Sequence, residues 1–226
     1  MKTILTFLNQ INENNSKAWL DVHRSEYQAA TSAFNLFVEK LIAGITDFDP
    51  SIKGITVKDC TYRFNRDIRF SPNKMPYKTH FGAFICPSGK KSGFSGYYFH
   101  IEPKGFGYLS GSMLCTGLYG PPPAVLKSIR EDIYLNGEAF DNVVHEAKSF
   151  VLEDDQALKK VPRGYPADFK YPEYLKLKNP SVYKRVDDAF LLSDNLLENT
   201  LTAFRETVSF NTWLNKAVRF AKEEEF

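Results

Sequence analysis

The spacing of apolar residues predicts a long amphipathic helix near the start of the chain. Over residues 17–44, apolar side chains recur at steps of three and four, and no proline or glycine interrupts the run before Gly44. Asn15 or Ser16 can cap the start of this helix, and Gly44 can mark its end. A helix that is this apolar on one side must pack against another element.

Four short runs rich in aromatic and β-branched residues follow this helix and predict strands. They cover residues 55–64, 80–86, 96–102 and 105–112. The connections between them are short and contain turn-forming residues, which favours antiparallel neighbours. We therefore expect a meandering antiparallel sheet over about residues 55–112, with one face covered by the long N-terminal helix.

The rest of the chain returns mostly to a helical pattern. One helix should open at Pro121 and break near Asn136, where a second helix follows. Residues 161–180 are rich in proline and glycine and predict an extended loop. Asn195 and Glu198 have the spacing of a capping box, which predicts the start of a C-terminal helix.

The composition is typical of a globular protein. The chain has 226 residues, of which 43% are hydrophobic and 25% charged, without a flexible linker or an internal repeat. A single α+β domain over residues 1–226 is therefore expected, with C-terminal helices also packed on the sheet. Cys60, Cys86 and Cys115 fit neither a disulfide framework nor a zinc cluster and are typical of core residues in a reducing compartment.

The N-terminal stretch and the hydropathy pattern favour a cytoplasmic location. The first apolar run is too short for a signal peptide and has no small-residue cleavage site. No run approaches the roughly 18 apolar residues that span a bilayer. We expect a soluble cytoplasmic protein with no membrane contact.

The net charge of +2 is the small difference between basic and acidic blocks. Residues 63–78 hold five Lys or Arg against one Asp, and residues 159–185 hold eight against two acids. Residues 137–155 oppose them with six acids against one Lys. The near-balance excludes a bulk polyanion binder of the histone kind, but it leaves room for a local anion site.

The first basic block predicts such a site, centred on Arg66, Arg69 and Lys78. Its arginines alternate with apolar residues that would anchor the segment, and a guanidinium offers a rigid donor fork to carboxylate or phosphate. The structural alternative is that Asp67 or the acidic block 137–155 neutralises these cations. In the second block, the stretch from Lys159 to Tyr165 most resembles a ligand clamp, and a solvated basic loop is the alternative.

Tyr98, His100 and Glu102 alternate along the third predicted strand and so share one face, while Tyr97 and Phe99 point to the core. A phenol, an imidazole and a carboxylate in a row are groups that an acid–base site would use, which makes Tyr98 and His100 candidate catalytic residues. The alternative is that they form the solvated face of a half-exposed sheet.

Metal and cofactor chemistry is not predicted. The histidines at positions 23, 80, 100 and 145 have no His-x-x-x-His spacing, and His100 with Glu102 offers two ligands at most. The glycines near positions 89 and 105 match neither a phosphate loop nor a dinucleotide fingerprint. We therefore expect no metal site and no cofactor.

Four segments carry a family resemblance: FLNQINENNSKAWLDVHRSEY at 7–27, RDIRFSPNKMPYKTH at 66–80, GYYFHIEP at 96–103 and LKKVPRGY at 158–165. Together they resemble the uncharacterised family called domain of unknown function 2461. The resemblance implies a single soluble α+β domain with no established activity, and it carries over no catalytic residue. Its motifs overlap the two basic blocks and the predicted strand that carries Tyr98, His100 and Glu102 on one face.

Three functional hypotheses follow. The first is a pocket for a small phosphorylated or carboxylated ligand, which Tyr98 and His100 would orient or protonate. The second, less favoured because the net charge is small, is nucleic-acid binding by residues 63–78 and 159–185. The third is a non-catalytic protein-interaction module. The candidate ligand-binding residues are Arg24, Arg66, Arg69, Lys74, Lys78, Lys159 and Arg163.

Overall fold

The computed structural model describes residues 1–105, 107, 109–166 and 168–223. Within these ranges, ten helices, one 3₁₀ turn and five strands form an α+β fold. The strands are β1 (Phe81–Ile85), β2 (Gly96–Ile101), β3 (Ser112–Gly117), β4 (Val151–Leu152) and β5 (Ser181–Val186). The helices are α1 (Lys2–Glu13), α2 (Lys17–Val22), α3 (Arg24–Thr46), α4 (Val57–Cys60), α5 (Pro123–Leu135), α6 (Gly137–Glu146), α7 (Pro172–Lys176), α8 (Asp188–Leu191), α9 (Leu196–Arg205) and α10 (Val208–Glu223).

The strands form one antiparallel sheet in the order β1-β2-β3-β5-β4. The first three strands follow one another as a meander, and β5 joins its edge along the whole of β3. The α+β class and the antiparallel meander predicted from the sequence are confirmed. The sheet also extends beyond the predicted region, because β4 and β5 come from the acidic and basic blocks later in the chain.

Two of the four predicted strands are found, and two are wrong. The predicted strands 80–86 and 96–102 correspond to β1 and β2. Residues 55–64 instead contain α4, since the Asp59 carboxylate accepts hydrogen bonds from the Thr56 backbone N and Oγ1 and closes a helical turn. Within 105–112, the described residues before Ser112 lie in a loop and only Ser112 belongs to β3, while residues 106 and 108 lie outside the described part of the chain.

The predicted N-terminal helix is divided into α2 and α3. His23 separates them: its Nδ1 lies 2.9 Å from the Trp19 carbonyl oxygen, and its ring stacks on the Trp19 ring at 3.9 Å between centroids. Ser16 caps α2, as expected, by accepting a hydrogen bond from the Trp19 backbone N. Gly44 does not end α3, which continues to Thr46. A Cβ at Gly44 would overlap the Leu201 side chain of α9, so this glycine permits close helix packing.

Elsewhere the helices agree with the sequence pattern, with one local exception. Helices α5 and α6 meet at Asn136, as predicted, and α9 begins after Asn195. The capping box predicted for Asn195 and Glu198 is wrong, because the Asn195 side chain makes no capping hydrogen bond. The predicted loop 161–180 contains only the short helix α7 among its described residues; residue 167 lies outside them.

The inner face of the sheet carries the hydrophobic core. Tyr97, Phe99 and Ile101 of β2 are fully buried, as the alternation predicts. Helix α3 packs on this face: the rings of Phe37 and Phe99 lie 4.8 Å apart. A second apolar cluster, centred on Phe210 of α10, joins that helix to α5 and α6. No helix in the described residues is long and apolar enough to cross a bilayer.

The three cysteines are free thiols, as expected. Cys60 and Cys86 are buried, and burial raises the pKa of the Cys60 thiol to about 12 and that of the Cys86 thiol to about 11. Cys115 departs from the expected core position, because it lies partly exposed on the outer face of β3.

A buried carboxylate links the segment after α3 to β2 and α10. Oδ2 of Asp49 accepts hydrogen bonds from the Tyr97 hydroxyl at 2.9 Å and from Nδ2 of Asn211 at 3.3 Å. Oδ1 accepts from the backbone N and the hydroxyl of Ser51. Burial, followed by the neighbouring Asp49 carboxylate, raises the pKa of the Tyr97 hydroxyl, which therefore stays protonated as a donor.

We expect Tyr97→Phe to lower the free energy of unfolding by about 1–3 kcal/mol, because it leaves a buried carboxylate oxygen with one donor fewer. Urea unfolding followed by circular dichroism measures this change. The control is Tyr119→Phe, which removes a hydroxyl from a side chain that is 75% exposed and should alter stability by less than about 0.5 kcal/mol. Equal effects of the two substitutions would contradict the role assigned to Asp49.

Candidate functional site

The outer face of the sheet has a row of half-buried side chains. Phe84, Tyr98, Cys115 and Tyr183 are register partners across β1, β2, β3 and β5, and each is partly exposed. The row continues at the sheet edge with Val151, which is 59% exposed. This face differs from the inner face, where the residues of β2 are completely covered.

The next row on the same face holds a buried histidine. Gly82, His100, Met113 and Arg185 are register partners across the same four strands. His100 is fully buried, and its Nδ1 lies 2.9 Å from the Tyr98 hydroxyl. Gly82 provides the room for this contact, because a Cβ there would lie 2.5 Å from the Tyr98 hydroxyl oxygen.

Glu102 follows β2 and is also buried, with 1% of its surface exposed. Its Oε2 accepts a hydrogen bond from the Leu109 backbone N at 2.7 Å and lies 3.4 Å from Nε2 of His100. Its Oε1 accepts from Oγ1 of Thr79 at 3.3 Å and lies 3.6 Å from Nδ1 of His80. The carboxylate is therefore surrounded by hydrogen-bonding groups from four separate positions in the chain.

Backbone contacts hold Glu102 and the loop around it in place. The Glu102 backbone N donates to Oγ of Ser112 at 2.9 Å, and that hydroxyl donates back to the Glu102 carbonyl oxygen at 3.0 Å. Gly107 has a φ of +77° and passes against the carboxylate, so that a Cβ there would overlap Glu102 and Thr79. The loop before β3 thus covers this end of the outer face.

This covering corrects the interpretation of the three alternating residues as a solvated face. Tyr98 remains partly exposed, but His100 and Glu102 are buried, and the loop that contains Gly107 lies against the Glu102 carboxylate. Alternation correctly predicts that the three side chains share a face. It carries no information about a loop that folds back over that face.

Burial lowers the pKa of His100, and the nearby His80 and Arg185 lower it further, while Glu102 acts in the opposite direction. A neutral imidazole carries one proton. With that proton on Nε2, facing Glu102, Nδ1 accepts a hydrogen bond from the Tyr98 hydroxyl. Tyr98, His100 and Glu102 therefore form a continuous hydrogen-bonded chain from the outer face of the sheet to the buried carboxylate.

A cleft of about 790 Å³ opens beside Glu102, between the loop before β3 and the end of β5. Its volume lies within the range of about 300–1,000 Å³ typical of small-molecule sites. Ser110 lines it with a φ of +57°, which is uncommon for a residue other than glycine. The charged residues of the wall are Glu102, Lys104, Lys184, Arg185, Asp187 and Asp188.

Arg185 lies where this cleft meets the outer face of the sheet. Its Nη1 donates to the Leu109 carbonyl oxygen at 2.9 Å, and its guanidinium lies 5.8 Å from the centre of the Tyr183 ring. Among the described residues it makes no ion pair with a carboxylate. Arg24 and Arg69, by comparison, pair with Asp21 and Asp67 at 2.9 and 2.7 Å.

The structure places Tyr98 and His100 in contact, but the cations of the first basic block make local contacts. Arg69 forms a double hydrogen bond with Asp67, which holds the pKa of that carboxyl below its usual range. Arg66 donates to the Met75 carbonyl oxygen, and Lys74 donates to that of Ile68. Pairing with Asp67, the structural alternative considered for this block, therefore applies to Arg69.

The remaining predicted ligand-binding residues lie in three other places. Lys78 is half-buried near the Tyr62 ring, and burial lowers the pKa of its ammonium group. Arg24 is on the surface of α3. Lys159 and Arg163 are exposed, and Arg163 lines a second cleft of about 630 Å³. A ligand-binding role for any of these residues stays a prediction.

His80 and Arg185 are neighbours of His100 that sequence reasoning missed as site residues. His80 precedes β1, and the β1–β2 register places it opposite Glu102. His80, His100 and Glu102 offer ligand atoms that all lie within 4.8 Å of one another. The motif of His100 and Glu102 offers two candidate ligands, as counted from the sequence, and strand pairing brings a third, His80, from the segment before β1.

The fold and this site define an α+β protein with an open five-stranded antiparallel sheet and, at one end, a hydrogen-bonded Tyr–His–Glu chain whose histidine and glutamate are buried. Residues 3–213 match a family model described as conserved hypothetical protein (DUF2461), and the chain belongs to this family. The resemblance stated from the sequence segments is confirmed. No curated protein and no solved structure matches the chain.

We expect Gly82→Ala to lower the free energy of unfolding by about 1–3 kcal/mol, because the new Cβ displaces the Tyr98 ring from its place beside His100. A double-mutant cycle measured by urea unfolding checks the cause. In a Tyr98→Ala background, the same glycine substitution should cost much less, since the overlapping ring is gone. Additive effects of the two substitutions would show that Gly82 does not act through Tyr98.

Proposed function

We propose that the protein binds a small phosphorylated or carboxylated ligand in the cleft beside Glu102, and that Arg185 binds the anionic group. The observation that carries this proposal is that Arg185 is exposed at the cleft and has hydrogen-bond donors left for a ligand. It has one hydrogen bond, to the Leu109 carbonyl oxygen, and has no carboxylate ion pair within the described residues. Its remaining N–H groups suit bidentate recognition of carboxylate or phosphate.

Lys104 and Lys184 support Arg185 from the same cleft. Within the described part of the chain, the acidic residues of the cleft do not pair with these positively charged side chains. Asp187 accepts a hydrogen bond from the Phe190 backbone N at the start of α8. The Glu102 carboxylate is buried and accepts hydrogen bonds from Thr79 and Leu109. The mixture of charges favours a ligand with one anionic group rather than an extended polyanion.

This proposal differs from the sequence-based hypothesis in the residues that bind the anion. Arg66, Arg69 and Lys74 make contacts within their own segment, whereas Arg185 has donors left for a ligand. Because these cations already contact their own segment, the first basic block is also less suited to bind the successive phosphates of a nucleic acid. Small-ligand binding is therefore the function that the geometry supports best.

A panel of phosphorylated and carboxylated metabolites in a thermal-shift assay should yield at least one ligand that raises the melting temperature of the protein. Calorimetric titration of that ligand should then show that Arg185→Gln weakens binding at least tenfold, because a charge-assisted hydrogen bond contributes about 1.5–3 kcal/mol. The matched control is Arg219→Gln, an exposed arginine on α10 beside Phe94, which should leave the affinity unchanged.

Arg69→Gln separates this proposal from the earlier hypothesis. Retained binding in Arg69→Gln with loss in Arg185→Gln supports the cleft, and the reverse result contradicts it. The proposal also fails if no anion in the panel stabilises the protein. Binding to short RNA or single-stranded DNA that weakens steeply with salt would instead favour nucleic-acid recognition.

A further inference from the structure

We infer that His80, His100 and Glu102 form a binding site for a divalent transition-metal ion, and that zinc is the ion that fits them. The three side chains come from the segment before β1, from β2 and from the residue after β2. Two imidazoles and one carboxylate are a ligand set that zinc uses where it keeps a position open for water or substrate. This inference does not depend on the proposed anion site.

The distances between the ligand atoms match the size of the ion. Zinc binds imidazole nitrogen and carboxylate oxygen at about 2.0–2.2 Å, so neighbouring ligands in a tetrahedral shell lie about 3.3–3.5 Å apart. Nε2 of His100 and Oε2 of Glu102 are 3.4 Å apart, and Nδ1 of His80 and Oε1 of Glu102 are 3.6 Å apart. Each imidazole is thus already at about shell distance from one oxygen of the carboxylate, His100 from Oε2 and His80 from Oε1, and one ligand atom from each residue lies within 4.8 Å of the others.

The surrounding hydrogen bonds orient the ligand atoms toward one another. The Tyr98 hydroxyl lies 2.9 Å from Nδ1 of His100, so that Nε2 of the same ring is the atom facing Glu102. In the metal-bound form the single imidazole proton would be on Nδ1 and would be donated to the Tyr98 oxygen, which leaves the lone pair of Nε2 for the ion. The Leu109 backbone N and the Thr79 hydroxyl hold the Glu102 carboxylate. Metal-bound histidines and carboxylates are commonly supported by such outer partners, which set the orientation of the ring.

The electrostatic setting also favours a cation. A buried carboxylate is costly unless hydrogen bonds or positive charge compensate it. Two of the groups that donate hydrogen bonds to this carboxylate, the Thr79 hydroxyl and the Leu109 N–H, carry no charge. A divalent ion between Glu102 and the two imidazoles would supply positive charge at the most buried point of the site.

The cluster borders the cleft and is partly open to solvent on the His80 side. Glu102 forms part of the cleft wall, and the His80 side chain is 17% exposed. Because the protein supplies three ligands, a tetrahedral ion would keep one position for water or another ligand.

The direct test is Co²⁺ binding by full-length protein that has been dialysed against a chelator. Co²⁺ in a tetrahedral site gives intense visible absorption, and titration should give saturable bands at one ion per chain. Addition of Zn²⁺ should remove the bands, and Zn²⁺ alone should raise the melting temperature. Folded protein, verified by circular dichroism, that shows neither the bands nor stabilisation by Zn²⁺ would overturn the inference.

Variants locate the ion. Glu102→Gln and His80→Asn should each abolish the Co²⁺ bands, and His80→Asn is the substitution less disruptive to folding because His80 lies outside the strands and is partly exposed. Tyr98→Phe should weaken Co²⁺ binding about 10- to 100-fold through the orientation of His100. The matched control is His145→Asn, which removes an exposed surface histidine paired with Asp141 and should not change the titration.

The outcomes separate this site from the proposed anion site. Arg185→Gln should keep the Co²⁺ bands, with affinity equal to or higher than that of the wild type because a neighbouring positive charge is removed, and Co²⁺ binding is measured with no anionic ligand present. Loss of the bands in His145→Asn, or their persistence in both Glu102→Gln and His80→Asn, would show that the ion binds elsewhere and would overturn the assignment. Failure of the metabolite panel would leave the metal result unaffected.

Discussion

The burial of the Glu102 carboxylate is the constraint on which the arrangement of the candidate site depends. A carboxylate removed from water must find donors or positive charge, and here they come from Thr79, Leu109 and two histidines. Each partner reaches Glu102 through a different part of the fold. The pairing of β1 with β2 places His80, the alternation within β2 places His100, and the loop that returns to β3 places the Leu109 backbone N.

Two glycines make this arrangement sterically feasible. At Gly82 the absence of a Cβ lets the Tyr98 ring lie across β1 and reach His100, and at Gly107 it lets the loop backbone lie against the carboxylate. The hydrogen-bonded chain from Tyr98 to Glu102 thus depends on the close approach of the backbone at Gly82 and Gly107 as well as on its own side chains. It connects the half-exposed aromatic row of the outer face with the floor of the cleft.

The two proposals for this region share Glu102 but make different physical demands. Anion binding needs the exposed guanidinium of Arg185, which lies at the mouth of the cleft with donors left for a ligand. Metal binding needs the buried cluster behind it, where the ligand atoms of His80, His100 and Glu102 converge. A metal ion beside the cleft would add positive charge to a wall on which the formal charges otherwise cancel, so the two sites would reinforce each other in attracting an anion.

The local pattern alone was sufficient to identify α3, β1, β2 and the shared face of Tyr98, His100 and Glu102, because these depend on helical and strand periodicity. It also predicted the antiparallel class, whereas the family was recognised from the resemblance of four sequence segments. It failed for residues 55–64, where a capping turn outweighs β propensity, and for β5, which pairs with β3 across a long sequence separation. Tertiary structure alone decides that His80 and Arg185 lie near His100 and that Glu102 is covered. The first follows from strand register and the second from the loop that folds back before β3. Residues distant in sequence carry no local signal of such contacts.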